Sequence, residues 1–297
     1  MEYIDRRKFL NRTGAALAIG AVSTQSAAAT SGGDTGQQTV GTLGPAGSYS
    51  HRAALQTSDD VEFYETMFEV AAAVTNEDID AGVLPIENSI QGAVIDTLDI
   101  LIEEDLFITA EATEEIRHTL IAQSADFEVI ASHPQALAQS SSFLEEKYPD
   151  VEQQEIDSTS AGVKMAAEDE SIAAIAHPDL ADDFGLEAVA TDIQDVENNV
   201  TRFLKFERSR TEDSGSKSTV LVYPGSDNPG FPAEVLRVLA AMNLDLTRLD
   251  ARPSTTELGD YIYHVDFEHE RTKQVVCRLE SVTEWTRYLG SYDLITE

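Results

Sequence analysis

Short apolar runs alternate with helix-period stretches along most of the chain, and this rhythm predicts the elements. Short runs at Thr39–Leu43, Val61–Tyr64, Ala81–Pro85, Phe107–Glu111, His118–Ala122, Val129–Ala131, Gln154–Ile156, Ile172–Ala176 and Thr201–Phe206 predict strands. Apolar positions spaced three and four apart predict helices over Tyr49–Thr57, Met67–Asn76, Ala93–Glu103, Pro134–Lys147, Ser160–Asp169 and Leu180–Phe184. Strand-helix alternation of this kind implies an α/β architecture with helices packed on open sheets. The series from about Arg117 to Val189 is self-contained, and the chain then returns to Asn199 and Thr201. Two lobes with a cleft between them are therefore expected, since ligands in open sheets sit at strand ends facing helix N-termini.

After the Gly/Ser stretch Ser214–Lys217 the rhythm changes to strand Thr219–Tyr223, helix Ala233–Met242, strands Asp245–Ala251 and Tyr261–Phe267, helix Thr272–Val282 and strand Tyr292–Ile295. A βαββαβ order in so short a stretch is ferredoxin-like. The division expected is 1–38 as leader and lead-in, 39–208 as the main α/β domain, 209–218 as linker and 219–297 as the ferredoxin-like domain. Within the main domain, one lobe takes 39–116 plus 190–208 and the other 117–189.

Composition adds a strong constraint. The 297 residues carry 20 Lys plus Arg against 54 Asp plus Glu, a formal charge of -34. A field of that sign repels nucleic acid and anionic membranes. The acids are spread along every segment, as in a surface kept hydrated in concentrated salt, where the screening length falls to about 3 Å at 1 M. A single cysteine, Cys277, excludes an internal disulfide and a multi-cysteine metal site, and its helical neighbours Val275, Val276 and Leu279 suggest a packing role. The histidines show no metal-ligand spacing and no dinucleotide fingerprint occurs, so neither metal nor organic cofactor is expected. At the N-terminus, Arg6-Arg7-Lys8-Phe9-Leu10 precedes a weakly apolar run and Ala27-Ala28-Ala29, the form of a twin-arginine export signal. A cytoplasmic protein with an Ala-rich extension is the alternative. The run is too short for a stable membrane span, which needs roughly 20 apolar residues.

Four motifs fall at strand-helix boundaries: Gly44-Pro45-Ala46-Gly47-Ser48-Tyr49-Ser50; Pro85-Ile86-Glu87-Asn88-Ser89 with Gly92; His133-Pro134-Gln135-Ala136-Leu137; and Asn199-Val200-Thr201-Arg202-Phe203. In that order they resemble the prephenate dehydratase family, and the C-terminal part resembles the ACT regulatory domain that follows the catalytic part there. The acidic composition makes the resemblance haloarchaeal-like. It implies a two-lobed catalytic domain shaped like a periplasmic binding protein, conversion of prephenate to phenylpyruvate without a cofactor, and Thr201 as the essential residue. Asn88, Ser89, Gly92, Gln135, Ser158, Thr159, Asn199, Phe203, Gly47 and Ser48 are the candidate substrate-binding positions.

Strand alternation puts Arg202 on the face opposite Thr201 and Phe203. It is either a carboxylate anchor through its planar fork or a structural group paired with Asp195 or Glu197. In the C-terminal part Gly230, Asp250, Arg252 and Pro253 match or neighbour the family's phenylalanine-binding motifs, while Phe231, Pro232 and Ala251 depart from them. Phenylalanine is thus the expected effector, and pairing of the C-terminal parts makes a homodimer or homotetramer the expected assembly. An exported solute-binding protein and a non-catalytic amino-acid sensor are the competing readings.

Overall fold

The computed structural model describes residues 38–210, 215–225, 230–268 and 272–295, arranged around three sheets. The leader and part of the linker lie outside the described residues. The first sheet takes β1 (Val40–Leu43), β2 (Val61–Tyr64), β3 (Ala81–Asn88), β4 (Gly92–Ala93), β5 (Phe107–Glu115) and β11 (Val200–Glu207) in the order β2-β1-β3-β11-β5, with β4 beside β3. β1 to β3 run parallel, and β11 is antiparallel to both neighbours. The second holds β6 (Thr119–Ala122), β7 (Val129–Ser132), β8 (Glu152–Glu155), β9 (Ile172–Ala176) and β10 (Glu187–Ala190), ordered β10-β6-β9-β7-β8. The third is antiparallel, with β12 (Lys217–Tyr223), β13 (Asp245–Pro253), β14 (Tyr261–Glu268) and β15 (Trp285–Tyr292) ordered β13-β14-β12-β15. With its two helices this third unit is consistent with an ACT-type module.

Helices α1 (Tyr49–Leu55), α2 (Met67–Thr75) and α3 (Ile95–Glu103) cover the first sheet, and their starts are written in the sequence. Ser48 caps α1 by accepting from the His51 N–H, and Thr66 with Glu69 forms a reciprocal capping box on α2. In the second lobe the stretch expected as one helix is two, α4 (Pro134–Gln139) and α5 (Ser141–Lys147), followed by α6 (Thr159–Glu168) and α7 (Asp179–Phe184). The break at Ser140 comes from a distant segment. The Gln139 carbonyl accepts from the Asp195 N–H at 2.6 Å, and the Asp195 carboxylate takes the Ser141 hydroxyl and the Ser142 N–H at the start of α5. Gly162 lets α6 lie close on β7, because a Cβ there would sit 2.6 Å from the Ala131 carbonyl.

β10 is absent from the sequence-based elements: Glu187-Ala188-Val189-Ala190 is a short edge strand held by β6 alone. The last strand lies at 285–292 and not at 292–295. Residues 293–295 instead run along β5, where Glu111 N–H donates to Asp293 and Ile295 N–H donates to Glu111. The interior of β15 carries Arg287, an uncommon strand-core residue by composition. Its guanidinium donates to the carbonyls of Leu101, Glu104 and Leu106 and so closes the C-terminal end of α3. Helices α8 (Phe231–Ala241) and α9 (Thr272–Glu280) cover the outer face of the third sheet. Cys277 is exposed, because Val275 and Leu279 take the core-facing positions of α9 and Cys277 points away from them.

The inner face of the third sheet packs on the first lobe through one mixed core that joins Leu98, Leu101 and Leu204 to Leu221, Tyr223 and Leu289. His264 lies fully buried near this seam, and burial with Arg248 close by pushes its pKa down to about 3. The imidazole is therefore neutral in the fold, whereas the unfolded chain takes up a proton below about pH 6.5. Its contribution is complete above that pH and is lost as pH falls toward 3, at about 1.4 kcal/mol per unit. His264→Leu is expected to flatten the pH dependence of denaturant unfolding by about that slope between pH 6 and 4; an unchanged slope would contradict it.

Candidate active site

Between the first two sheets lies a cavity of about 430 Å³. The first lobe lines it with Ser48, Tyr49, Thr201 and Phe203, and the second with His118, Gln135, Gln139, Ser158 and Thr159. Three helices point their N-terminal ends at it, and each N-cap side chain lines the wall: Ser48 of α1, His133 of α4 and Ser158 of α6. Those caps accept backbone N–H groups of their own helices, from His51, Gln135 and Ala161. Among the described residues no Lys or Arg lines the cavity. One carboxylate, Asp157, does line it, so the groups there suited to an anion are the helix ends and the neutral donors. Gly47, at φ 82°, makes the turn into α1, and its N–H is held by His51 Nδ1.

Thr201 and Phe203 share the cavity face of β11, and a bulge against β3 falls directly after Arg202. The carboxamide of Asn88, at the end of β3, stands 3.0 Å from Thr201 Oγ1 and 2.9 Å from Asn199 Oδ1. Asn199 is fully buried and reaches Gln139 at 3.2 Å, and Gln139 in turn reaches His118 Nε2 at 2.9 Å. Burial lowers the pKa of His118 and keeps it neutral. Behind Tyr49 and outside the cavity lining, burial, and then Arg52, lowers the His177 pKa to about 4, while Arg52 bridges the lobes by pairing with Glu114 and Asp179.

Residues 40–211 match the prephenate dehydratase family. The prephenate dehydratase of Methanocaldococcus jannaschii is 33% identical over 84% of this chain and 95% of its own length. The chain belongs to the prephenate dehydratase family. The bifunctional chorismate mutase/prephenate dehydratase of Aquifex aeolicus is 34% identical over 85% of this chain and 73% of its own. A solved prephenate dehydratase of Arthrobacter aurescens in complex with L-Phe, 31% identical, superposes with a TM-score of 0.76 over 86% of this chain and 90% of that one.

Of the residues named from the sequence, Ser48, Gln135, Ser158, Thr159, Thr201 and Phe203 line the cavity. Asn88 and Asn199 stand behind Thr201. Ser89 is exposed and ties 198–200 to β3, donating to the Asn198 carbonyl and accepting from the Val200 N–H. Gly92, at φ 79°, opens β4 opposite Asn88 with open space around it, and does not line the cavity.

Arg202 is not a cavity residue. It points to the other face of β11, where Nε meets Glu111 at 2.6 Å, Nη1 meets Asp266 at 2.7 Å and Nη2 donates to Tyr292 at 2.9 Å. Its partners are therefore neither Asp195, which caps α5, nor Glu197. Burial opposes the guanidinium charge, but Tyr292, Asp266 and Glu111 outweigh it and raise the Arg202 pKa. Sequence reasoning missed His118, Tyr49 and Gln139 as wall residues. Gln139 carried a usable signal, since it lies four positions after Gln135 on one helical face.

In the C-terminal unit Gly230, at φ 86°, caps α8, and Phe231 is buried in that unit's own core 5.6 Å from the Tyr263 ring. Asp250 pairs with Arg248, Arg252 pairs with both oxygens of Asp99 on α3, and Pro253 is exposed at the end of β13.

Proposed function

We propose that this chain converts prephenate to phenylpyruvate with Thr201 as the catalytic group, and the observation that carries this is a cavity-facing Thr201 hydroxyl held by Asn88. Prephenate bears two carboxylates and a ring hydroxyl. The pair of electrons in the ring carbon–carboxylate bond moves into the ring as carbon dioxide departs. The ring carbon–oxygen bond breaks on the other side, and the leaving hydroxyl takes up one proton and departs as water. Aromatisation drives the reaction, so the protein's part is to orient the dianion, exclude water and stabilise the oxygen as negative charge grows on it.

Thr201 meets that oxygen, acting by hydrogen bonding and by relaying a proton from solvent that restores its own, because a free hydroxyl is a weak acid. Ser158 and Thr159 at the start of the ten-residue α6, with Gln135 and Ser48, hold the carboxylates. Phe203 forms an apolar wall, and Gly47, Ser89, Gly92 and Asn199 shape the turns and the strand that carry these groups. We take 39–208 as the catalytic part and 219–297 as a regulatory part that also pairs copies into a dimer or tetramer. Phenylalanine is the effector, bound near Gly230, Asp250, Arg252 and Pro253. Phe231 packs inward and so does not itself cover these residues, and the Arg252–Asp99 pair ties β13 to α3 of the catalytic part. The -34 charge supports a role in concentrated salt.

Phenylpyruvate formation from prephenate in molar salt, with and without phenylalanine, tests these points together. Activity that falls on dilution of the salt and on addition of phenylalanine is expected. No activity in any salt overturns the catalytic reading, and full activity with saturating phenylalanine removes the effector alone. Export by the twin-arginine leader is a separate proposal, resting on Arg6 to Ala29. The N-terminal mass of the protein from native cells is expected to begin at Thr30, and an intact Met1 or Glu2 end on cytosolic protein refutes it.

A further inference from the structure

The hydrogen bonds behind Thr201 have a direction, and two backbone groups set it. Asn88 Oδ1 accepts from the N–H groups of Ile90 and Gln91, both at 3.0 Å. A backbone N–H only donates, so that end of the carboxamide is oxygen and the other end is nitrogen. The nitrogen faces Thr201 Oγ1 at 3.0 Å and Asn199 at 2.9 Å, with the Val200 carbonyl at 3.5 Å. Asn199 must then turn its oxygen to Asn88 and its nitrogen to Gln139. Gln139 must present oxygen, and the His118 Nε2 that stands 2.9 Å from it must carry a proton. Donor-acceptor complementarity fixes each of these contacts, and it leaves Gln139 Nε2 buried without a partner.

We infer that this chain of side chains, running from the Ile90–Gln91 turn to His118, fixes the Thr201 hydroxyl as a proton donor into the cavity, with Gln139 and His118 as positioning residues at its far end. The inference rests on the reading of Thr201 as the catalytic group. Because Thr201 Oγ1 already accepts from Asn88, its own proton turns away from Asn88, and no protein acceptor for it occurs among the described residues. That proton is what a leaving hydroxyl needs. With the opposite polarity Thr201 would spend its proton on residue 88 and offer the substrate only lone pairs. At the other end, neutral His118 is held as the Nε2–H tautomer, and its Nδ1 is buried without a partner. No proton travels along the chain; it stores an orientation.

Long-range proton–nitrogen correlation spectra of the full chain carrying ¹⁵N-histidine read the tautomer directly, with a His118→Gln variant to assign the signals. Wild type is expected to show a protonated Nε2 and a bare Nδ1 at His118, and the Nδ1–H form overturns the inference. Asn88→Asp keeps the shape but reverses the polarity. One carboxylate oxygen still accepts from Ile90 and Gln91, while the other now demands donors from Thr201 and Asn199. Asn199 and Gln139 turn over in response, and His118 changes to the Nδ1–H form. We expect kcat to fall by about 10²-fold with KM within threefold. An unchanged tautomer in the folded variant, or near-wild-type kcat, overturns the inference. Should the variant not fold, the wild-type spectrum decides alone. A wild type that leaves prephenate untouched refutes the catalytic reading without bearing on the tautomer.

Discussion

Thr201→Ala is expected to lower kcat for phenylpyruvate formation by about 10²- to 10³-fold, the loss seen when one preorganised donor to a developing oxyanion is removed. KM should change little, because the contact strengthens only as charge grows on the leaving oxygen. The fold should barely notice: one hydrogen bond with Asn88 is lost, at about 1 kcal/mol. Thr201→Ser, which keeps the hydroxyl, should retain most of the activity. Steady-state kinetics beside thermal melts separate these outcomes, and an alanine variant within threefold of wild type would remove Thr201 from the mechanism.

Arg202→Met is expected to act oppositely, on stability first. The guanidinium is the hub of a buried network in which Lys217 also pairs with Glu111, and Thr219 donates to Asp266 and bonds Tyr292. Asp266 is 1% exposed, so removing Arg202 leaves a buried carboxylate with only the Thr219 hydroxyl and the more distant Arg248, at 3.8 Å, to offset its charge. Breaking a buried pair in this way costs about 3 to 5 kcal/mol, a fall in Tm on the order of 10 °C. Asp266→Asn should reproduce part of the loss from the C-terminal side. A variant with wild-type Tm and a raised KM would instead make Arg202 a substrate anchor.

The same residue shows why β11 matters to the whole molecule. Its odd positions 201 and 203 face the cavity and its even positions 202 and 204 face the third sheet, so one strand joins the catalytic wall to the C-terminal unit. Strand alternation alone is enough to place Arg202 and Thr201 on opposite faces. It could not name the partners, because Glu111 and Asp266 lie 91 and 64 positions away.

Local patterns account for most of the elements. The caps Ser48, Thr66 and Ser158, the apolar runs of β1, β3, β7 and β9, and the helical faces of α2 and α3 are set by interactions within a few residues, so periodicity and capping chemistry reveal them. The breaks in that success all have long-range causes. Asp195 interrupts the helix at Gln139, β6 creates β10 by pairing, and the end of α3 holds Arg287 inside β15. At the site, the hydroxyl, amide and helix-start residue types were legible by themselves, since each type is suited to anion binding or proton donation wherever it occurs. Only tertiary structure brought Asn88, Asn199, Gln139 and His118 into one line behind Thr201, and only there does the direction of their hydrogen bonds follow. A donor's partner is decided by distance in space, and sequence spacing carries no record of it.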